Sequence, residues 1–407
     1  MRSLTRSVLA CSCLAAALAI SACAADDAES TGDAAAGQES APPDPTREEV
    51  TEPHPRLVVA FDDNTAVLDP GSGEVLASFP ADGPKRLTAI GDGRHVALVD
   101  ADAGTTQFLD AGAWSSAHGD HFHHYVAEPT LRTPAVEGDR PVHVVSNAGR
   151  TAVFHDDSGT AEVFDDDGLL IDSVATTTID SGAPHHGVVV PLADGALVTI
   201  PGTDALPVGV ARVDDDGTRT AQFDDCPGLH GEIVVADTAV FGCETGIMLV
   251  SGDSASSLPN PDESGERVGG FVAGADSTVV GDYAADSLAV VDVAARTFDV
   301  VDAAADVAAY TTGPHGDILA LGTDGALRRI DPTTGGVDAT VKVLEPFELP
   351  EGHGGVKPSL AVAGHRAFVA DPETSTLTPV DLETFTSGEP IALQGAPSDL
   401  VATGTAP

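Results

Sequence analysis

The segment His118-Gly-Asp-His-Phe-His-His-Tyr125 puts four imidazoles and one carboxylate into positions 118–124 of a 407-residue chain that has 14 histidines in all. Neutral imidazole is a preferred ligand of zinc and other borderline transition metals. His118, His121, His123 and His124 can converge on one ion only if the segment folds back on itself. A short His-rich tract can equally be a solvated loop, so composition alone leaves metal binding open.

The elements that position these residues come from a repeat. From Arg56 onward, short β-branched runs alternate with period two between Asp-Gly, Gly-Asp and Thr-Gly turns. No sustained 3.6-residue apolar period is present, so strands are expected throughout. Leu57-Val-Val-Ala-Phe-Asp-Asp-Asn-Thr-Ala-Val-Leu-Asp-Pro-Gly is one copy of the unit, and Thr151-Ala-Val-Phe-His-Asp-Asp-Ser-Gly is another. Further copies begin near Arg86, His186, His230, Val268, Val307 and Pro358. The spacing of about 40–45 residues is that of four-stranded propeller blades. The expected fold is all-β: a single β-propeller over residues 56–407 with about eight blades, or seven as the fallback. Asp399-Leu-Val-Ala-Thr403 is expected to join the first blade and close the ring, which removes exposed sheet edges.

On this frame the scattered histidines fall into register. His186 precedes Gly187-Val-Val-Val and His230 precedes Gly231-Glu-Ile-Val-Val, each at the start of an innermost strand. His54 and His353 are placed likewise in the first and last units, and 118–124 in the connection into the third. Such links share one face of a propeller and border its channel. One composite metal site is therefore expected at that rim, drawn from His118, Asp120, His121, His123, His185, His186, His230, Glu232 and His353. Glu232 faces with His230 because strand side chains repeat with period two. Asp120 is either a ligand or the group that orients an imidazole, and His124 is left out. His95, His143, His155, His315 and His365 are read as structural or solvent-exposed.

The N-terminus reads as an export signal over residues 1–22. Arg2 and Arg6 precede the apolar stretch Val8–Ile20, which is too short to span a bilayer. Ile20-Ser-Ala-Cys23 resembles a lipobox, with Cys23 lipidated; ordinary cleavage at a small residue is the alternative. Residues 23–55, rich in Ala, Asp, Glu, Gly, Ser and Pro, are expected to form a disordered acidic tether. The folded part would then sit on the outer face of the cytoplasmic membrane, held by its lipid anchor alone. Cys226 and Cys243 remain after processing and read most simply as a disulfide in an oxidising compartment, with metal–thiolate binding as the other possibility. A formal charge of −45, with only three lysines, excludes nucleic acid as a partner.

An exported propeller with the 118–123 loop, Pro184-His-His-Gly187, Leu229-His-Gly-Glu232 and a late His353-Gly-Gly resembles the AztD zinc metallochaperones. The resemblance covers nearly the whole mature chain, and its most specific part is the 118–124 loop. It implies a non-enzymatic, extracytoplasmic carrier of Zn2+ that hands the ion to the solute-binding protein of an ABC zinc importer. The Cys226–Cys243 pair fits the disulfide expected beside the Leu-His-Gly-Glu turn. The lipobox departs from the pattern, since many members are freely periplasmic. A monomer is expected. Imidazole ligands must be neutral to bind, so release is expected below about pH 6. Two rival readings are a lactonase-like propeller hydrolase, which would favour calcium and oxygen ligands, and a scaffold without metal. The nitrogen-rich rim and the lack of a Gly-x-Ser-x-Gly or His-Glu-x-x-His motif weigh against the hydrolase.

Overall fold

Period-two alternation becomes strands, and among the described residues these assemble into eight main antiparallel sheets, seven of four strands and one of five, and a small three-stranded sheet. A computed structural model describes residues 47–203, 206–262, 265–350 and 355–404. The signal segment, Cys23, most of the tether and His353 lie outside the described residues. The architecture is all-β and consistent with a propeller. The first sheet takes Asp399–Thr403 from the C-terminal end beside Arg56–Ala60, Asn64–Leu68 and Val75–Pro80. The other seven begin with Arg86–Ala89, Pro141–Asn147, Val189–Leu192, His230–Val235, Phe271–Ala273, Val307–Thr312 and Ser359–Ala363, and all but the first of these seven use consecutive strands.

Burial follows position in the sheet. Second strands such as Arg56–Ala60 and Ile318–Gly322 are buried along their whole length, because both faces are covered by neighbouring sheets. Fourth strands such as Val75–Pro80 and Val337–Lys342 alternate between exposed and half-buried. The core is divided among the gaps between sheets. Phe108, Val153 and Phe164 fill the gap between the second and third, and Val190, Phe241 and Met248 that between the fourth and fifth. Leu57, Val59 and Leu68 of the first sheet pack on Phe368 and Leu377 of the eighth. Val, Ala and Leu supply most of this core, as the 4% aromatic content requires.

Neighbouring first strands run in the same direction. Leu87 N donates to Asp399 Oδ2 (2.8 Å) where Arg86–Ala89 and Asp399–Thr403 begin, and Thr403 Oγ1 donates to the Gly93 carbonyl (2.8 Å) past their ends. The molecule therefore has an entry end, where first strands start, and an exit end. Two placements read from the sequence are corrected here. The Leu57 and Thr151 runs are second strands, not innermost ones, because Asp399–Thr403 and Pro141–Asn147 take the first positions. His54, which precedes a second strand, accordingly lies at the exit end.

The 118–124 segment also differs from expectation. It forms a β-hairpin, Ala113–His118 and His121–Val126, inserted between the third and fourth strands of the second sheet, not a link into the third. The third strand ends at Asp110, opposite His95, so the hairpin leaves from the exit end. Gly112 makes the departure possible: its φ is 72°, and a Cβ there would lie 2.4 Å from the Ala127 carbonyl. Glu48–Val50 adds a third strand to this small sheet. This strand lies inside the stretch expected to be tether.

Candidate metal centre

The hairpin is built locally. Gly119 and Asp120 form its two-residue turn, with Gly119 at φ 65°, the left-handed conformation such turns demand at their first central position. This register sets His118 directly opposite His121. His123 lies two residues along the strand, on the same face. His118, His121 and His123 are the one group among the described residues whose candidate ligand atoms all lie within 4.8 Å of one another. The Nε2 atoms of His121 and His123 are 3.2 Å apart. Their Nδ1 atoms face acceptors, Glu49 Oε1 at 2.6 Å from His123 and Asp120 Oδ1 at 3.3 Å from His121. His124 turns to the other face and bonds Ser115 Oγ through Nδ1 (2.8 Å). At the base, Trp114 stacks on Tyr125 (5.3 Å), and the Arg94 and Arg47 guanidinium groups lie over the Trp114 ring (3.6 Å) and the Tyr125 ring (4.9 Å).

A second histidine group stands at the entry end, drawn from three successive sheets. His143 comes from the first strand of the third sheet, beside a register shift between Pro141 and His143. His186 lies in the link into the fourth sheet, and His230 opens the first strand of the fifth. The rings of His143 and His186 are 4.9 Å apart, and those of His186 and His230 are 5.2 Å apart. The His143 and His186 Nε2 atoms are separated by 3.3 Å. His186 Nδ1 donates to Asp156 Oδ2 (2.7 Å), His230 Nδ1 donates to the Gly269 carbonyl (2.6 Å), and His143 Nδ1 lies 3.5 Å from Glu232 Oε1.

Five of the six rings, those of His121, His123, His143, His186 and His230, turn Nδ1 toward an acceptor, which leaves their Nε2 lone pairs free. These tautomers are assigned from the partners. Lone pairs facing each other at 3.2–3.3 Å repel unless a cation lies between them. Two ligands on a tetrahedral zinc with bonds of about 2.0–2.1 Å are themselves about 3.3–3.4 Å apart. Acceptors behind the imidazoles fix ring orientation and raise ligand basicity. Asp156 adds a buried Oδ1 with no hydrogen-bond partner, the kind of orphan acceptor that a cation satisfies.

The two groups differ electrostatically. The side chains of His121 and His123 are 55% and 34% exposed, those of His143 and His186 20% and 29%, and those of Glu232 and Asp156 behind them 11% and 12%. Burial holds His230 below the ordinary imidazole pKa, with His186 and His143 adding to the depression. Arg86 and Asp399 line a cavity of about 570 Å³ at the entry end; burial lowers the Arg86 pKa although the charges of Asp399, Glu232 and Asp156 oppose this.

Several expected ligands fall elsewhere. The hairpin and rim histidines do not form one composite site, because they stand at opposite ends and no hydrogen bond, ion pair or ring contact joins them among the described residues. His185 is not free to bind: buried, it bonds the Ala183 carbonyl through Nδ1 (2.9 Å) and Thr199 Oγ1 through Nε2 (2.8 Å). Asp120 is fully exposed beside His121. His353 lies outside the described residues. His143 and Asp156 were missed. The signal for His143 was its own run, Val142-His-Val-Val, which precedes the Thr151 copy by one strand. Cys226 and Cys243 form a disulfide, which excludes the thiolate alternative; it braces the turn that carries His230.

No protein-family model matches the chain. The chain is 28% identical over 370 residues to the zinc chaperone AztD of Citrobacter koseri, covering 86% of each. The crystal structure of Citrobacter koseri AztD superposes with a TM-score of 0.82 at 28% identity, covering 86% of this chain and 98% of that one. The apo AztD structure from the same organism gives a TM-score of 0.79 at 26% identity, covering 87% of this chain and all of that one. The dihydro-heme d1 dehydrogenase NirN, at 12% identity and a TM-score of 0.52, shares the fold alone.

Proposed function

We propose that this homologue of AztD is a zinc chaperone, a carrier and not a catalyst. The observation that carries the reading is the convergence of imidazole Nε2 atoms at ligand spacing, backed by Nδ1 acceptors, in two separate groups. Of the sequence-based ligand set, His118, His121 and His123 form one binding group, while His186, His230 and Glu232, joined by His143 and Asp156, form the other. Nitrogen-rich donors with few carboxylates suit zinc and disfavour calcium. The relative's name as a zinc chaperone supports the same cargo. Histidines on an exposed hairpin can leave an ion one at a time as a recipient's ligands arrive, which is what a carrier needs and a hydrolytic centre does not.

The eight sheets are the blades of one closed propeller; pairing of Asp399–Thr403 with Arg56–Ala60 and packing of the first sheet on the eighth support this. The protein is an exported monomer, anchored through Cys23 and delivering zinc to the solute-binding protein of an ABC importer. Cys23→Ser should abolish incorporation of labelled fatty acid in cells. Transfer is tested by mixing the zinc-loaded protein with the candidate binding protein and a competing chelator. Zinc that reaches the recipient despite the chelator supports direct handover; zinc captured first by the chelator refutes it.

A further inference from the structure

The strand that completes the hairpin sheet comes from within the predicted tether. Glu48–Val50 pairs antiparallel with His121–Val126, in the register Glu48↔Val126, Glu49↔Tyr125 and Val50↔His124. The same short stretch is fastened on both sides of this pairing. Arg47 lies over the Tyr125 ring, and Glu52, Pro53 and Pro55 line a cavity of about 990 Å³ at the exit end. From this docked strand the Glu49 carboxylate reaches His123, accepting from Nδ1 at 2.6 Å.

Building on the zinc reading of the hairpin, the geometry points to Glu49 as a positioning residue for the metal held by His118, His121 and His123. An imidazole with a free Nδ1 divides its proton between two tautomers and rotates about χ2. A carboxylate acceptor at Nδ1 selects the tautomer with its lone pair on Nε2 and fixes the ring. In His123 that lone pair faces His121 Nε2 at 3.2 Å, the spacing a bound ion requires. Asp120 holds His121 more loosely, from a fully exposed position 3.3 Å away. Glu49 is therefore the tighter of the two supports, and it does not belong to the hairpin. The group is complete only when the tether-side strand is docked. Undocking that strand releases His123 and weakens the metal, so the chain's attachment and its cargo are linked through one side chain.

The test uses the full chain carrying H186A and H230A, which leaves the hairpin as the binding group. Zn2+ affinity is measured by chelator competition, and the His123 ring ¹⁵N signals are recorded without metal. E49A should lower affinity about 10- to 100-fold and move the ring signals toward a tautomer mixture. E49Q keeps an oxygen acceptor and should recover most of both. Unchanged affinity and ring signals in E49A, beside lost binding in H118A/H121A/H123A, overturn the positioning role. So does a fall in melting temperature with neither readout moved. If the triple variant itself binds zinc normally, the hairpin is no metal group, and that distinct failure removes Glu49's role with it.

Discussion

The hairpin and the rim solve one coordination problem in opposite ways. At the hairpin, three histidines within six residues meet because a two-residue turn and a strand's alternation put them on one face. At the rim, His143, His186 and His230 are brought together by three sheets and share their Nδ1 atoms with an acid, a carboxylate neighbour and a backbone carbonyl. The hairpin group is solvent-exposed, the rim group half-buried. Exposure lowers the barrier to ligand exchange, whereas burial and rigid strands preserve ligand geometry. A carrier needs both properties, and here they are separated in space.

The difference can be broken most forcefully by removing one group at a time. H118A/H121A/H123A and H143A/H186A/H230A should each lose one class of zinc, with at least a ~100-fold drop in its affinity, or about 2.7 kcal/mol. Titration with a chelator of known affinity checks this; a triple variant that takes both classes away together would make the groups one site. Comparable in size is the disulfide. Closing a loop of this length is worth roughly 3 kcal/mol, so C226A/C243A should lower the melting temperature and weaken rim zinc, leaving hairpin zinc in place. Asp156→Ala should cost the rim about 10- to 100-fold, because His186 Nδ1 loses its acceptor. Trp114→Ala removes the stack on Tyr125 and the Arg94 contact, worth about 1–2 kcal/mol together. It should make the hairpin easier to cleave with protease without moving rim affinity.

The smallest effect is that of pH. Burial disfavours the charged form of His230, so it stays a neutral ligand to a lower pH than an ordinary imidazole. With the hairpin histidines replaced, retained zinc should therefore have a more acidic release midpoint than in the variant lacking the rim histidines. The same depression has a stability consequence. Burial also lowers the pKa of His155 and His185. Groups with depressed folded values resist protonation, so their contribution is fully present above about pH 6.5 and is lost as pH falls below it. Melting temperature measured from pH 7.5 to 5 should decline through that window, and a flat profile would contradict the burial of these rings.

How much of this could be read without coordinates depended on the range of each contact. The Gly119-Asp120 turn and the alternation of His121 and His123 are local facts, so the hairpin histidines and the exclusion of His124 follow from spacing. His186, His230 and Glu232 were accessible through the repeat, since equivalent positions of successive sheets lie side by side. His143 escaped because the repeat was aligned on the Thr151 run, one strand further on; the shift hid its equivalence to His230. Asp156, beyond the end of that second strand, went with it. His185 misled for the opposite reason: it adjoins a real site residue but turns into the core, where Thr199 and the Ala183 carbonyl take both nitrogens.

By itself, the sequence determined an all-β chain of repeated four-strand units, a histidine-rich turn and a leftover cysteine pair, because strand period, turn chemistry and repeat length are written within a few dozen residues. Only the tertiary structure decided which end of the molecule each histidine occupies. That choice rests on strand direction and on which strand stands first in its sheet, and a C-terminal strand pairing across the whole chain with Arg56–Ala60 sets it. Other long-range contacts bring Glu49 to His123, through the pairing of Glu48–Val50 with His121–Val126, and Asp156 to His186. Contacts of that kind depend on how sheets pack, and no local pattern encodes them.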